Sequence, residues 1–447
     1  MNRRTFIAQA SAALTGAALA SVAPAWAQSA PDVKLEIAPL ALEIAPGKVI
    51  HTAAYNGRVP GPLIRWPEGK PIAIDVVNRT AIPEIVHWHG LWIPSAMDGS
   101  MEEGSPMIAP GAQLRYLFTP RPAGFRWYHT HTSAMHDLKR ATYSGQFGFF
   151  YIEPRDNAGA YDHEIFLTLH DWEAYMGVCG DSSAEASYKY ATIDGRMLGF
   201  ADTLRVREGQ RVLFHLLNAS ASVAHWLALS GHELTVVAMD GNPVPKPAPM
   251  RAIRLGPAER IDAVAMMNQP GVWILGETRE QIRKMGMGIV VEYANQTGKP
   301  RWIEPPETLW DYRPFAVPQA TTREPDEIIP LRFESKFHGQ GSFDSWTING
   351  KSYPETDTIT LRQGKRYRLR MINRSTDDHP LHLHRHTFEI TKLNGTPLSG
   401  LNKDVVVVPA NTNVEVDFTA NNPGATLFHC HNQTHMDFGF MTLFRYG

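Results

Sequence analysis

Apolar and polar residues alternate over short stretches along most of the chain, and glycines or prolines separate these stretches. Examples are residues 72–77, 146–152, 164–169, 211–217, 234–238, 287–291, 367–372 and 404–408. Successive side chains of a strand point to opposite faces, so this pattern predicts half-buried β-strands. Helices are expected to be few, with one candidate at residues 277–285. The pattern therefore predicts an all-β protein.

The predicted strands fall into three blocks, at residues 34–155, 160–295 and 328–447. Between the second and third blocks, in residues 296–327, the alternation fades and prolines gather. Such a segment is typical of a connection that crosses the surface. We therefore predict three domains and one linker.

A weak internal repeat suggests that the three blocks are related. Asn56-Gly57 precedes a strand that ends at Asn78. Asp194-Gly195 with Asn218, and Asn349-Gly350 with Asn373, repeat the arrangement. Repeated strand-and-turn blocks of this size indicate three β-sandwiches.

The N-terminus has the pattern of an export signal. Arg3 and Arg4 precede a short alanine-rich stretch that ends at Ala25-Trp26-Ala27. A basic start, an apolar region and a small-residue cleavage site predict a signal peptide at residues 1–27, and the paired arginines resemble a twin-arginine signal. The stretch is too short and too polar to span a membrane. We therefore expect an exported protein, periplasmic or extracellular, with no membrane span; the twin-arginine resemblance favours the periplasm.

Charge and cysteine content narrow the possible classes. The chain has 43 lysines and arginines against 45 aspartates and glutamates, which gives no reason to expect a nucleic-acid partner. The two cysteines, Cys179 and Cys430, could in principle form a disulfide. Because Cys430 is needed as a metal ligand, as argued below, we expect Cys179 to be unpaired.

Ten of the nineteen histidines fall into four motifs. The motifs are His87-Trp88-His89, His129-Thr130-His131, His379-Pro380-Leu381-His382-Leu383-His384, and His429-Cys430-His431 with His435. Residues i and i+2 of a strand face the same way, so each pair projects together. One such pair is weak evidence, but four of them can enclose several metal ions and leave positions open for a small ligand.

The fourth motif predicts a second, separate site. Cys430 points away from the face shared by His429 and His431, so its thiolate should bind a different metal. Two histidines and a cysteine with a weak or absent axial ligand form the blue-copper pattern. His379 and His435 can complete it.

Together these motifs resemble the multicopper oxidases, the family of laccases, ascorbate oxidase, bilirubin oxidase and bacterial cuprous oxidases. The resemblance covers the mature chain and includes Asn56-Gly57, Pro60-Gly61-Pro62, Asp98-Gly99 and the strand at 145–152. It implies three cupredoxin-like Greek-key β-sandwich domains. A copper cluster would lie between the first and third domains, and the middle domain would be a spacer.

The resemblance also implies a role for each ligand of four copper ions. His379, Cys430 and His435 would bind the type 1 copper, with electrons entering at His435 and passing through Cys430. His87 and His382 would bind the type 2 copper. The type 3 pair would be held by His89, His129, His131, His384, His429 and His431.

Two departures from the family pattern concern the axial ligand and the proton donor. The axial position, ten residues after the cysteine, is Phe440, which cannot coordinate and implies a raised type 1 potential. Met441 is axial instead if the strand shifts by one residue. Acids that many relatives carry after the cysteine are replaced by Gln433 and Met436. Asp98 matches the acid that the family carries near the type 2 copper, and the resemblance makes it the candidate proton relay, although an Asp-Gly pair also suits a plain turn.

The leading functional hypothesis is a laccase-like oxidase that couples oxidation of phenols or aromatic amines to reduction of dioxygen to water. The alternatives are a periplasmic cuprous oxidase in copper tolerance and a non-enzymatic cell-envelope interaction protein of the same fold. The loops over His435 have no recognisable binding signature, so the reductant, phenol or Cu(I), stays open. We expect a monomer.

Overall fold

The computed structural model describes residues 30–155, 161–178, 184–307, 309–318, 323–339 and 342–447. The predicted signal peptide and Cys179 lie outside the described residues. Strands dominate the secondary structure, which confirms the predicted all-β class. The helices are short: α1 (Glu280–Lys284), α2 (Gln433–Asp437) and the 3-10 turns η1 (Ser95–Met97), η2 (Ala141–Tyr143) and η3 (Arg313–Phe315). The helix predicted at residues 277–285 is α1, one turn long.

The first unit is a sandwich of two four-stranded sheets. Its strands are β1 (Val33–Ala45), β2 (Lys48–Tyr55), β3 (Gly61–Pro67), β4 (Ile72–Asn78), β5 (Val86–His89), β6 (Gln113–Phe118), β7 (Gly124–Thr130) and β8 (Phe147–Glu153). The sheets have the orders β2-β1-β4-β6 and β3-β8-β7-β5.

The middle unit is a sandwich of a six-stranded and a five-stranded sheet. Its strands are β9 (His163–Trp172), β10 (Tyr175–Val178), β11 (Ala184–Ser187), β12 (Tyr190–Ile193), β13 (Leu204–Val206), β14 (Arg211–Asn218), β15 (His225–Leu229), β16 (Leu234–Met239), β17 (Asn242–Met250), β18 (Ile253–Leu255), β19 (Arg260–Met266), β20 (Val272–Glu277) and β21 (Gly288–Tyr293). The orders are β12-β9-β14-β19-β16-β17 and β13-β21-β20-β15-β18, and β10 and β11 form a separate hairpin.

The third unit is a sandwich of a seven-stranded and a five-stranded sheet. Its strands are β22 (Val317–Pro318), β23 (Glu327–Lys336), β24 (Ser345–Ile348), β25 (Ile359–Leu361), β26 (Arg366–Asn373), β27 (His379–Leu383), β28 (Phe388–Leu393), β29 (Thr396–Lys403), β30 (Val405–Val408), β31 (Asn413–Thr419), β32 (Thr426–Cys430) and β33 (Met441–Tyr446). The orders are β22-β29-β28-β31-β26-β23-β24 and β25-β33-β32-β27-β30. The two-residue strand β22 lies within the predicted linker and pairs with β29.

The internal repeat corresponds to one turn that recurs in each unit. Asn56, Asp194 and Asn349 have φ angles of 50°, 50° and 53°, a left-handed conformation that Asn and Asp tolerate before glycine. In each turn the side-chain oxygen accepts a hydrogen bond from the backbone N–H of a neighbouring strand, at 2.6 to 2.8 Å. The same bond in three places supports the prediction of three related sandwiches.

The asparagines that end β4, β14 and β26 also repeat one contact. The side-chain amide of Asn78 donates to the carbonyl oxygens of Ile82 and Ile108. Asn218 and Asn373 donate to carbonyl oxygens at the corresponding places of their own units. These buried amides fix the loop after each strand, and in the third unit that loop leads directly into the His379 motif.

The three units pack against one another through apolar cores. One core is shared by the middle and third units, and includes Leu227 and Ile253 together with Leu381 and Phe428. A smaller core joins the first and middle units. Among the described residues, no helix is long and apolar enough to cross a membrane.

Candidate metal centre

Eight histidines from four strand ends meet in one buried cluster between the first and third units. β5 and β7 pair with His87 opposite His129, and β27 and β32 pair with His382 opposite His429. Directly opposed residues of an antiparallel pair project to the same face. The eight are His87, His89, His129, His131, His382, His384, His429 and His431, each at most 8% exposed.

Stacked rings join the two halves of the cluster. The ring of His89 stacks on that of His382 with centroids 3.8 Å apart, and the ring of His87 stacks on that of His384 at 4.0 Å. Each stack contains one histidine of the first unit and one of the third. The cluster is therefore built by the contact between these two units.

His87 and His382 each leave one ring nitrogen free. Nδ1 of His87 lies 2.8 Å from the carbonyl oxygen of Asp98, and Nδ1 of His382 lies 2.7 Å from that of Asp404. A carbonyl oxygen can only accept, so both Nδ1 atoms carry the proton and both Nε2 atoms keep a free lone pair. Neither Nε2 has a hydrogen-bond partner in the described part of the chain, although both are buried. Two such lone pairs fit a metal ion.

Three further rings converge through their Nε2 atoms. Nε2 of His429 lies 3.0 Å from Nε2 of His384 and 3.4 Å from Nε2 of His131. Nδ1 of His384 donates to Oδ2 of Asp98 at 2.8 Å, and Nδ1 of His429 donates to the Cys430 carbonyl oxygen at 2.9 Å. The Nε2 lone pairs of His384 and His429 therefore face each other and repel. A cation bound by both nitrogens would remove this repulsion.

The remaining three rings form a second converging group. Nδ1 of His89 lies 3.4 Å from Nε2 of His129, and the His431 ring is centred 5.3 and 5.1 Å from their rings. Nδ1 of His129 donates to the Thr130 carbonyl oxygen at 2.7 Å. Nε2 of His89 donates to Oδ1 of Asp404 at 3.0 Å, so His89 offers its Nδ1 to the group.

Burial keeps seven of these imidazoles in the neutral form that binds metals. Burial, together with the charge of neighbouring histidines, lowers the pKa of His131 to about 4 and that of His431 to about 3. The same causes hold the pKa values of five others well below the ordinary range, namely His89, His129, His382, His384 and His429. At neutral pH their lone pairs are available to metal ions.

A second site lies on the other side of β32. Sγ of Cys430 is 3.9 Å from Nδ1 of His379 and 3.6 Å from Nδ1 of His435, and these two nitrogens are 3.2 Å apart. Nε2 of His379 is bonded to the Ser375 hydroxyl at 2.8 Å, and Nε2 of His435 to the Asn432 amide at 3.2 Å. Both rings therefore turn Nδ1 toward the thiol. This donor set suits copper.

The side chain of Cys430 lies on the opposite face from those of its two neighbours, which is the placement that strand alternation predicts. Its neighbours His429 and His431 lie in the cluster, and its own side chain points to His379 and His435. Burial raises the pKa of the Cys430 thiol. A metal ion would displace the thiol proton, because the thiolate is the form that coordinates.

Phe440, and not Met441, faces the cysteine site. The Phe440 ring is centred 4.8 Å from the ring of His379, and its carbonyl oxygen accepts a hydrogen bond from the Cys430 N–H. Met441 pairs with His429 in the β32–β33 register and packs beside Leu427 on the opposite face of the sheet. The one-residue shift that would bring Met441 to the cysteine site does not occur.

Asp98 lies beside the cluster and is fully buried. Its Oδ2 is 2.8 Å from Nδ1 of His384 and 3.2 Å from Nδ1 of His87. Burial alone would raise the pKa of Asp98, but these two histidines hold it well below the ordinary range. Gly99 follows with φ +89°, and a Cβ there would lie 1.7 Å from the carbonyl oxygen of Val86. The pair is thus both a tight turn and a contact to the cluster.

Glu103 is a second buried carboxyl beside the cluster that was not predicted from the sequence. Its Oε1 accepts the Leu427 N–H at 2.5 Å and lies 3.5 Å from Nδ1 of His384. Burial and the charge of Asp98 raise the pKa of Glu103 well above its ordinary value. In the sequence it belongs to the Glu102-Glu103 pair, which resembles an exposed turn.

Aromatic rings cover the cysteine site. The Trp346 ring is centred 3.9 Å from that of His435, and Trp346 is only 5% exposed. Farther out, the rings of His136, Phe343 and Phe438 form a group with centroids 5.0 to 5.7 Å apart. His136 is exposed to solvent, so this group extends to the surface. We call these three residues the aromatic patch.

The structure brings together all eleven predicted ligands and Asp98. His386 stays outside the cluster, because its ring nitrogens bond the carbonyl oxygen of His384 and the hydroxyl of Tyr446. Cys430 is unpaired in the described residues.

Comparison with known proteins identifies the class to which this arrangement belongs. Multicopper oxidase family models match residues 40–157, 164–295 and 329–447. The chain therefore belongs to the multicopper oxidase family. It is an oxidoreductase with dioxygen as acceptor, built from cupredoxin-like sandwiches and using copper.

Individual relatives match nearly the whole chain. Multicopper oxidase MmcO of Mycobacterium tuberculosis is 29% identical over 439 residues, covering 90% of this chain and 84% of the relative. A laccase of Trametes maxima is 27% identical, with coverages of 87% and 88%. The structure of a multi-copper oxidase from Pseudomonas thermotolerans has a TM-score of 0.73 at 26% identity, covering 94% of this chain and all of that one.

Proposed function

We propose that the protein oxidises phenols or aromatic amines one electron at a time at the cysteine site, and reduces dioxygen to water in the histidine cluster. The position of Cys430 between His429 and His431 carries this proposal, because one strand joins the two sites by covalent bonds. Copper bound there would supply one-electron oxidation at the first site and four-electron reduction of dioxygen at the second.

The geometry supports four copper positions. His379, Cys430 and His435 would hold the type 1 copper. The free Nε2 atoms of His87 and His382 would hold the type 2 copper. The two groups of three would hold the type 3 pair, one with His131, His384 and His429, and the other with His89, His129 and His431.

Reduction of dioxygen to water consumes protons, and two buried carboxyl groups, those of Asp98 and Glu103, lie beside the cluster to deliver them. A protonated Glu103 can donate to the Asp98 carboxylate, and Oδ2 of Asp98 in turn contacts His384 at 2.8 Å. The pair lies at the cluster and is buried. We propose that Asp98 relays protons to the cluster and that Glu103 supplies them, in place of the acids absent at Gln433 and Met436.

The aromatic patch favours an aromatic reductant. The Trp346 ring packs on that of His435, and the backbone N–H of Trp346 donates to the carbonyl oxygen of Phe438 at 2.8 Å, which ties the aromatic patch to the residue that covers His435. Flat π-faces attract aromatic substrates by offset stacking. The name of the Trametes relative, a laccase, agrees with this proposal.

A metal oxidase is the second candidate. A group of acidic residues around Asp377, two positions before His379, favours it. The charges of Glu185 and Asp344 act on Asp377, and burial together with these charges raises the pKa of Asp377 to about 6. Met176, which is 40% exposed, lies on the strand that pairs with the strand of Glu185. Carboxylates attract cations, and a thioether suits Cu(I).

Oxygen consumption with two reductants separates the candidates. We expect steady-state uptake with 2,6-dimethoxyphenol in the absence of added copper. Phe438→Ala should raise KM for the phenol several-fold and leave Cu(I) oxidation unchanged. Asp377→Asn is the matched variant, which tests the acidic residues in the same two assays. Uptake only with Cu(I), or with the phenol only when Cu(II) is added, would overturn the phenol oxidase in favour of the metal oxidase.

We also propose that the protein is exported as a folded monomer after loss of residues 1–27, with domains at 34–155, 160–295 and 328–447. Arg3-Arg4 and Ala25-Trp26-Ala27 support the export. N-terminal sequencing of protein from the periplasmic fraction should begin at Gln28, and Arg3→Lys with Arg4→Lys should retain the protein in the cytoplasm.

A further inference from the structure

Six charged side chains lie buried where the three units meet. They are Arg126 of the first unit, Asp240, Glu259 and Arg260 of the middle unit, and Lys403 and Asp404 of the third, each at most 2% exposed. Three are cations and three are anions, so the group is formally neutral. We call it the inter-unit charge network.

Asp404 is the point where this network reaches the histidine cluster. Arg260 binds its carboxylate with both Nη atoms, each at 2.6 Å from a different oxygen. Arg126 adds a contact at 3.3 Å. The same carboxylate accepts the Nε2–H of His89 at 3.0 Å, and the carbonyl oxygen of Asp404 accepts the Nδ1–H of His382 at 2.7 Å.

Space around this contact is filled. Gly90, directly after His89, has φ +82°, and a Cβ there would lie 2.6 Å from Oδ2 of Asp404 and 2.9 Å from Nη2 of Arg260. A side chain at position 90 would therefore push the carboxylate and the guanidinium apart. The glycine that ends the first histidine motif is explained by the approach of this ion pair.

Stability alone does not account for six buried charges. Removing an ion from water is unfavourable, and apolar residues of similar volume often stabilise a protein at least as well. The network does supply orientation. A carboxylate only accepts hydrogen bonds, so Asp404 fixes the proton of His89 on Nε2 and turns Nδ1 toward His129, 3.4 Å away.

We propose that Asp404 is a positioning residue for the type 3 copper ligand His89, and that Arg260 of the middle unit holds Asp404 in place. The middle unit, expected to be a spacer, then controls how firmly the cluster holds copper. This inference rests on the proposed assignment of copper to the eight-histidine cluster.

Asp404→Asn tests the inference with little change of shape. An amide can offer N–H to Nε2 of His89 and so favour the tautomer with its proton on Nδ1. We expect about 10- to 100-fold weaker binding of cluster copper, as is usual when such a partner of a ligand is lost. Near-ultraviolet absorption of the type 3 pair should fall, while the blue absorption and potential of the type 1 copper should stay as in the wild type.

Arg260→Gln should weaken the binding of copper to the cluster in the same way. Arg260→Lys should weaken it less, because lysine keeps the positive charge. Glu259→Gln is the matched control, since Glu259 contacts Lys403 and Tyr312 but neither Asp404 nor His89 in the described contacts. Glu259→Gln should lower the melting temperature of the copper-free protein and leave the copper count unchanged.

Copper counts and spectra of the wild type distinguish two kinds of failure. If the wild type holds copper only at the cysteine site, the cluster assignment and this inference both fall. If the wild type holds four copper ions, and Asp404→Asn and Arg260→Gln keep all four with normal type 3 absorption, the network is structural only and the inference is overturned.

Discussion

His225 should make the stability of the middle unit depend on pH. The side chain is fully buried, with Nε2 2.9 Å from Oδ2 of Asp171 and Nδ1 3.0 Å from Oε2 of Glu277. Both ring nitrogens face carboxylates, so both carry protons and the ring is an imidazolium. Burial alone would lower the pKa of His225, but the two carboxylates raise it to about 9.

The size of the effect follows from the difference between the folded and unfolded pKa. A rise from 6.5 to about 9 corresponds to about 3 kcal/mol of unfolding free energy. Because the folded pKa is the higher one, this stabilisation is complete below pH 6.5 and is lost as the pH rises to about 9. His225 and Arg279 together lower the pKa of Glu277 to about 2, and the contact between His225 and Glu277 is counted once.

Urea unfolding of the copper-free protein measures this contribution. His225→Gln should reduce the unfolding free energy by up to about 3 kcal/mol at pH 6, and the difference from the wild type should shrink toward pH 9.5. His232→Gln is the control, because burial lowers the pKa of His232 and so moves its titration away from the pH range in which His225 titrates. A His225→Gln difference that stays constant from pH 6 to 9.5 would refute the reasoning.

Three further predictions concern the copper sites. Phe440→Met should lower the type 1 potential in a redox titration by adding an axial thioether, whereas Met441→Leu should leave the potential unchanged. Equal potentials for Phe440→Met and the wild type would show that position 440 is not axial. Asp98→Asn should slow dioxygen reduction but leave the rate at which substrate reduces the type 1 copper unchanged in stopped flow. If the variant turns over as fast as the wild type, Asp98 is only a turn residue. Glu103→Gln should slow the same step, with a smaller effect at low pH; a pH-independent loss would contradict its role as proton donor.

Local patterns were sufficient to predict the fold class and the histidines and cysteine that meet in space. Alternation identified the strands, and the spacing of His87 and His89 placed both rings on one face before any tertiary contact was known. The same rule put Cys430 on the opposite face from its two neighbours. These features depend on the geometry of a single strand, which is why the sequence reveals them.

Contacts between units could not be predicted in this way. Arg260 and Asp404 are separated by 144 positions, and His89 and Asp404 by 315. Their meeting depends on how three sandwiches pack, and an isolated arginine on a strand carries no signal of it. Glu103 was missed for the same reason, because the backbone N–H of Leu427 that it binds belongs to the third unit.

The two buried aspartates form a reciprocal clamp between the first and third units. Asp98, from the first unit, accepts a hydrogen bond from His384 of the third, and Asp404, from the third unit, accepts one from His89 of the first. Each unit therefore orients a ligand that the other supplies. A small separation of the units would release both histidines together, so copper affinity and inter-unit contact should be lost in one step. Because Arg260 holds one side of this clamp, the middle unit takes part in the proposed metal centre although it supplies none of the eleven proposed ligands.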